Sequence, residues 1–365
     1  METLTLNIIL LILVAWSIFS VLLFIKNRFK IRDELGGFPL DELTVIIPFR
    51  NEAENLPKLL KSILSQKVHP KKYIFIDDHS TDKSAKIIQK ALDTKSVHYE
   101  VKLLANELSG KKHALMEAAK MACSTYVQTL DADVWFDTKF FAKLPTPTAK
   151  QMMILPVRMV GNKASTKLMA LEYGSFQILQ AFASREKPIM ASGANLIVER
   201  LTYISTNDLL KHAHRSSGDD QYALVQFLAQ GKKVHTYFDP KLAVFTATPK
   251  NLNELLNQRA RWMGNNTQGN DWRALAISIF IFAVNLSFFS LIIYPLFFGF
   301  DLIILSGIAA KFVADFIIYF NWFKRNKTWS LAPYLPILTL LYPIYLILLL
   351  WRYLQKKQIW KMRDV

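Results

Sequence analysis

Cysteine is nearly absent from this chain: its 365 residues hold a single one, Cys123. That excludes an intramolecular disulfide framework and a cysteine-rich zinc site. Acidic residues are also scarce, 29 Asp and Glu against 45 Lys and Arg, for a net charge of +16. No RNP, zinc-finger or basic-zipper pattern accompanies the surplus, and the basic residues gather beside apolar segments, so no nucleic acid partner is expected. Anionic lipid head groups and phosphorylated substrates are the expected partners instead. Internal repeats and low-complexity tracts are missing too, which excludes a repeat array.

Charge itself is missing from several long runs. Leu4 to Ile25 is 22 residues without a charge, long enough to cross a bilayer. No small-residue cleavage site precedes the next charges, so an anchor is expected rather than a removed signal peptide. Lys26, Arg28, Lys30 and Arg32 follow and place that side in the cytoplasm. Ala274 to Phe298 is uncharged, Leu302 to Phe323 carries only Lys311 and Asp315, and Leu331 to Trp351 is uncharged but interrupted by Pro333, Pro336 and Pro343. These are three more candidate spans. If the last one crosses, a tail with Arg352, Lys356, Lys357, Lys361 and Arg363 lies outside, against the positive-inside tendency. The three prolines therefore predict a segment that bends back or lies along the interface, leaving the tail cytoplasmic. With 52 % hydrophobic residues, the whole fits one large soluble domain plus membrane segments. The expected divisions are an anchor over 1–25, a basic linker over 26–41, a folded domain with interfacial helices over 42–272, membrane segments over 273–351 and a basic tail over 352–365.

Between these runs, strands alternate with helices. Leu43 to Ile47, Tyr73 to Ile76, His98 to Leu104 and Tyr126 to Leu130 read as strands, in β-branched and aromatic composition. Leu56, Leu59, Leu60 and Ile63 mark one face of the first intervening helix. Ser80 and Thr81 are N-cap candidates for the second, and Gly110-Lys111 opens the third. This order argues for an α/β fold with a mostly parallel sheet. Further on, Met152 to Met159 reads as a strand, Ser165 to Ser184 as a helix, Ala191 to Val198 as a glycine turn feeding a strand, and Leu252 to Met263 as a helix. Ser216 to Gln221 precedes a helix expected from Tyr222, with Asp219 a candidate cap.

Chemistry concentrates where strands end. Asp131-Ala132-Asp133 puts two carboxylates one residue apart at the carboxyl end of a strand, where open α/β sheets bind ligands. In extended chain both side chains share a face, and hard cations take such oxygens together with substrate phosphates. Taken alone, the triplet is a weak signal that favours a solvated turn. Lys111, following Gly110 at a helix start, suits an anion, as well as bulk water. His212 and His214 lack an obvious third ligand and fit a polar helix end. Lys311 and Asp315, four apart, fit mutual neutralisation on one helical face.

Taken in order, Val45-Ile46-Ile47-Pro48-Phe49-Arg50-Asn51-Glu52, Asp77-Asp78-x-Ser80-Thr81-Asp82, Gly110-Lys111, Asp131-x-Asp133, Gly193-Ala194-Asn195, Gly218-Asp219-Asp220 and Gln258-x-x-Arg261-Trp262 resemble a membrane-bound family 2 glycosyltransferase. The resemblance covers about Leu43 to Gly264, and its last motif is similar to that of polysaccharide synthases and ceramide glucosyltransferases. It implies a GT-A catalytic domain, a Rossmann-like α/β sheet flanked by N- and C-terminal transmembrane helices. It further implies a nucleotide-sugar donor (a UDP-sugar expected), a divalent cofactor (Mg2+ or Mn2+) and inverting hexosyl transfer.

By that resemblance Pro48 and Glu52 line the base and ribose pocket, and one of Asp77 and Asp78 meets the nucleobase. His79 stands where many relatives have glycine. Lys111 lies near the nucleotide, Asp133 binds the metal, and Asp131 turns toward the ribose or the metal. Asp220 is the general base, with Asp219 replacing the glutamate usual beside it. Gly193, Asp219, Gln258, Arg261 and Trp262 serve the diphosphate and acceptor; Arg261 and Trp262 equally fit an interfacial anchoring pair. The expected enzyme sits in the inner membrane with its catalytic domain cytoplasmic and transfers to a membrane lipid. A processive synthase extending a β-linked glycan, which a homo-oligomer with a shared tunnel would favour, is the second reading. A non-catalytic scaffold that kept the fold is the third.

Overall fold

The computed structural model describes residues 2–28, 34–93, 95–147, 151–182, 187–205, 218–266, 272–299, 301–355, 359–360 and 363–364. His212, His214, Ser216, Ser217, Lys30, Arg32, Lys356, Lys357 and Lys361 lie outside them. The chain divides into two compact units, one of residues 32–160, 183–247 and 359–365, the other of 1–31, 161–182 and 248–358.

The first unit is an α/β sandwich. Its strands are β1 (Leu43–Phe49), β2 (Lys72–Asp77), β3 (Tyr99–Leu103), β4 (Tyr126–Leu130), β5 (Val134–Phe136), β6 (Met152–Ile154), β7 (Val157–Val160), β8 (Asn195–Glu199), β9 (Val234–Thr236) and β10 (Val244–Ala247). Seven of them form a mixed sheet in the order β3-β2-β1-β4-β8-β6-β9, and β5, β10 and β7 form a second, smaller sheet. β3, β2, β1 and β4 run parallel, while β8 lies antiparallel to both β4 and β6. Helices Leu56–Leu64, Ser84–Leu92 and Lys111–Met121 make the crossovers. Leu56, Leu59, Leu60 and Ile63 are all buried, the face their spacing marks. Pro48 is tolerated inside β1 because β4 pairs only with Leu43 to Ile46, so no ladder partner on that side needs its missing N–H.

Local chemistry departs from expectation in four places. Met152 to Met159 is two strands in two sheets, divided at Leu155-Pro156, since Pro156 cannot continue a ladder. Ser80 and Thr81 do not cap the helix after them. Ser80 Oγ accepts the Asn51 N–H and the Thr81 N–H is given to Asn51 Oδ1, while Asp82 Oδ1 receives the Ser84 N–H at 2.9 Å. The helix expected from Tyr222 starts at Asp219, with Gly218 as its N-cap at φ 86°, so both aspartates sit in its first turn and Asp219 is not the cap. Gly36 and Phe38 donate their N–H groups to Lys143 and Leu144, so this stretch is bound to the domain.

The second unit is helical. By length and composition, four helices among the described residues are apolar enough to cross a membrane: Leu6–Lys26, Trp272–Phe298, Leu302–Asn326 and Trp329–Leu354. The bend expected at three prolines is absent from Leu335–Leu354. Pro336 occupies its first turn, where the missing N–H is harmless, Pro333 falls in the preceding 3-10 turn, and Pro343 is accommodated inside an unbroken helix. Lys311 and Asp315 do pair, Nζ to Oδ2 at 2.5 Å, and Asp315 also accepts Trp16 Nε1 at 2.9 Å and Thr339 Oγ1 at 2.8 Å. One carboxylate thereby joins three apolar helices.

Breaking a buried pair strands the remaining charge, whereas replacing both partners by apolar residues does not. Asp315→Leu is therefore expected to cost about 3–5 kcal/mol of stability, and Lys311→Leu added to it to recover most of that loss. Unfolding midpoints in detergent test this, and a double variant no more stable than the single one refutes the pairing account.

Candidate active site

The carboxyl ends of β1, β2 and β4 carry the polar residues, and hydrogen bonds link them in a line. Asp77 ends β2 and accepts the Ser80 N–H at 2.8 Å, forming a turn whose His79 adopts a left-handed φ of 57°. Asp78 is buried; its Oδ1 accepts the Gly110 N–H at 2.9 Å and its carbonyl accepts Arg50 Nη1 at 2.7 Å. Glu52 is also buried, its carboxylate receiving Asn55 Nδ2 at 2.7 Å and its own N–H given to Ser84 Oγ. Pro48 and Glu52 thus flank the turn after β1, and Asp77 and Asp78 the turn after β2.

Lys111 follows Gly110 as the first residue of its helix. Its ammonium lies 2.7 Å from Asp131 Oδ1 and 3.5 Å from Asp219 Oδ2. Burial works against that charge, but the two carboxylates outweigh it and raise the lysine pKa above its ordinary value. Asp220, beside Asp219, accepts the Gly193 N–H at 2.9 Å and the Gln221 N–H at 2.7 Å. Burial and the neighbouring Asp219 charge push its pKa up to about 6, against the opposing pull of Lys111. The Gly193 carbonyl accepts Thr129 Oγ1 at 2.6 Å, which pins this turn beneath the Asp-x-Asp strand. Asn195, next in the motif, is fully buried and structural: its amide donates to the Pro156 and Leu242 carbonyls.

Asp133 is exposed and accepts Thr246 Oγ1 at 3.3 Å, a partner no sequence motif marks. Among the described residues no three His, Cys, Asp or Glu side chains gather as a metal site. The donor set still fits a hard cation. Mg2+ is commonly held by one or two carboxylates, with water and substrate phosphate completing its shell, and Asp131 and Asp133 supply that number.

Gln258, Arg261 and Trp262 lie on helix Leu252–Asn266, in the helical unit. Here the structure adds two residues that motif reading passed over. Arg259 is buried and pairs with Glu172, Nη2 to Oε2 at 2.6 Å and Nε to both oxygens; Tyr345 adds a hydroxyl to Glu172 Oε1 at 2.9 Å. The Arg259 guanidinium stands 4.3 Å from the Trp262 ring centroid and donates Nη1 to Gln258 Oε1 at 2.5 Å. Two motif side chains are thus held by the residue between them. The signal was the lone acid in the apolar middle of helix Ala164–Phe182.

Comparison with known proteins bears on the family and the fold. The chain matches the model of Glycosyl transferase family group 2 over residues 126–354, more than half its length, and that of Glycosyl transferase family 2 over 44–200. It belongs to the family 2 glycosyl transferases and has their GT-A fold. Among curated proteins it is similar to the 4,4'-diaponeurosporenoate glycosyltransferases of Staphylococcus aureus strains bovine RF122 / ET3-1 and N315, 34% and 33% identical over 128 residues. That segment is 35% of this chain and spans 33% of each relative's length. In fold it is similar to mannosyltransferase PcManGT of Pyrobaculum calidifontis, solved with GDP-Man and Mn2+, at TM-score 0.57 and 15% identity over 96% of this chain and 99% of that one.

Gly193 leaves no room for a side chain: a Cβ there would sit 2.8 Å from Asp219 Oδ2 and 3.3 Å from Lys111 Nζ. Gly193→Ala is expected to destabilise the fold by about 1–3 kcal/mol and to lower turnover more than Gly231→Ala, whose left-handed φ of 67° strains any side chain but whose Cβ would meet nothing within 4 Å. Equal turnover in the two variants speaks against a packed ion cluster.

Proposed function

We propose that the protein is an inverting glycosyltransferase that moves a hexosyl group from a UDP-sugar to a lipid held in the membrane, on the cytoplasmic face. The observation that carries this is the ion cluster of Lys111, Asp131 and Asp219 with Asp220 beside it, at the strand ends where a nucleotide is expected. In this reading Pro48, Glu52, Asp77 and Asp78 take the nucleoside. Lys111 meets the diphosphate, and Asp133 with Asp131 holds the divalent cation. When bound, that cation supplies positive charge to the departing diphosphate.

Asp220 is assigned as the base. An inverting transfer needs one carboxylate to take the proton of the acceptor hydroxyl as its oxygen attacks the anomeric carbon from behind. A raised pKa makes it a stronger proton acceptor than an exposed aspartate, yet leaves it ionised near neutral pH. Gln258, Arg261 and Trp262 are assigned to the diphosphate and acceptor, with Arg261 offering a fork of donors matched to phosphate oxygens. Four apolar helices and curated relatives named for a single compound support a lipid acceptor over a growing polymer. The basic Lys26 supports the cytoplasmic face.

The test is nucleotide release by the full chain in native lipid extract, with Mg2+ or Mn2+ and panels of UDP- and GDP-sugars. Transfer to a lipid-soluble product from a UDP-sugar is expected; release only with GDP-sugars refutes the donor, and an extended glycan refutes the acceptor. Asp220→Asn is expected to abolish transfer while leaving donor affinity within about twofold, because only a proton acceptor is lost. The base must be ionised, so kcat/KM is expected to hold above about pH 6 and to fall as the pH drops through that value. A flat profile down to pH 5, or full activity of Asp220→Asn, removes Asp220 from the role. Asp133→Ala is expected to abolish metal-dependent UDP binding, and full wild-type activity in excess EDTA contradicts the metal assignment.

A further inference from the structure

His79 is the departure from the family pattern that the proposed chemistry does not use. It occupies the turn after β2 with φ 57°, a left-handed backbone that glycine adopts freely and other residues rarely do. A side chain at such a position implies a compensating contact. The ring supplies one: His79 Nε2 lies 3.0 Å from the Leu108 carbonyl oxygen. A carbonyl only accepts, so Nε2 carries the hydrogen.

That bond joins two turns. The segment from Leu104 to Gly110 is tied to the turn after β2 at three points: the Leu104 N–H donates to the Asp77 carbonyl at 3.0 Å, the Gly110 N–H to Asp78 Oδ1 at 2.9 Å, and His79 to Leu108. Within the segment, the Leu108 N–H closes on the Ala105 carbonyl. At its end, Gly110 at φ 96° turns the chain into the helix whose first residue is Lys111. The carboxyl-rich turn and the cationic helix start are thus held in register, and His79 supplies the one side-chain ring in that linkage.

We propose that His79 is a positioning residue: its ring latches the Leu108–Gly110 turn so that Asp78 and Lys111 are preset for the two ends of one nucleoside diphosphate. This rests on the reading of that turn as the donor site. Two effects of the residue, backbone strain and the latch, separate by substitution. Glycine removes both. Asparagine tolerates the left-handed backbone but is too short to place a donor at Nε2. Glutamine tolerates it less well but carries a donor near the Nε2 position.

The test is UDP affinity with Mn2+ by calorimetry on the full chain in detergent, together with the unfolding midpoint of each variant. A latch predicts that His79→Gln binds UDP within about twofold of wild type, and that His79→Gly and His79→Asn bind about fivefold more weakly, the size of one neutral hydrogen bond. The Gly and Asn variants are expected to unfold no earlier than the Gln variant, so affinity and stability diverge. Wild-type affinity in the Gly and Asn variants, or an affinity order that follows the unfolding midpoints, overturns the latch. A wild-type protein that binds neither UDP nor GDP overturns the donor-site reading itself.

Discussion

A single ammonium group shared by two carboxylates organises the catalytic unit. Lys111 reaches Asp131 at the end of β4 and Asp219 in the first turn of a helix 88 positions further on, so three chain segments converge on one charge. Asp219 is buried and the other two groups are partly so, and each charge is offset by its neighbours. The surrounding backbone follows from that convergence. Gly193 lacks a side chain because Asp219 and Lys111 already fill the space, and Gly218 takes a left-handed turn to bring both aspartates into the helix start. Burial first, and then the charge of Asp219 alongside it, raise the Asp220 pKa within the same cluster.

The helical unit obeys the same rule with different residues. Arg259 is buried among Tyr173, Phe176 and Trp262, and Glu172 matches its charge through two nitrogens. Asp315 is satisfied by Lys311, Trp16 and Thr339. In each case an ion in an apolar setting is held by a fixed set of donors or acceptors from different helices, which ties register to charge as well as to packing.

Most of the catalytic unit was legible because its signals are local. Strand composition, the spacing of Leu56, Leu59, Leu60 and Ile63, and carboxylates placed at strand ends need only neighbouring residues to interpret. Reading failed where a long-range partner decided the outcome. Ser80 and Thr81 have cap chemistry but are engaged by Asn51, 29 and 30 positions away. Pro343 has breaker chemistry, yet helix Leu335–Leu354 continues through it. No motif marks Arg259, whose partner Glu172 lies 87 positions earlier.

The sequence by itself determined the fold class, the family and the apolar helices, because hydrophobic period and motif order are properties of short windows. The tertiary structure alone decided which of the charges are spent on one another. Lys111 and Asp131 pair at the strand ends, where the proposed function puts the nucleotide, and Lys311 and Asp315 pair among apolar helices, though all four are ordinary ionisable residues in the chain. Only their burial and their distance to a third partner distinguish them, and both depend on how remote segments pack.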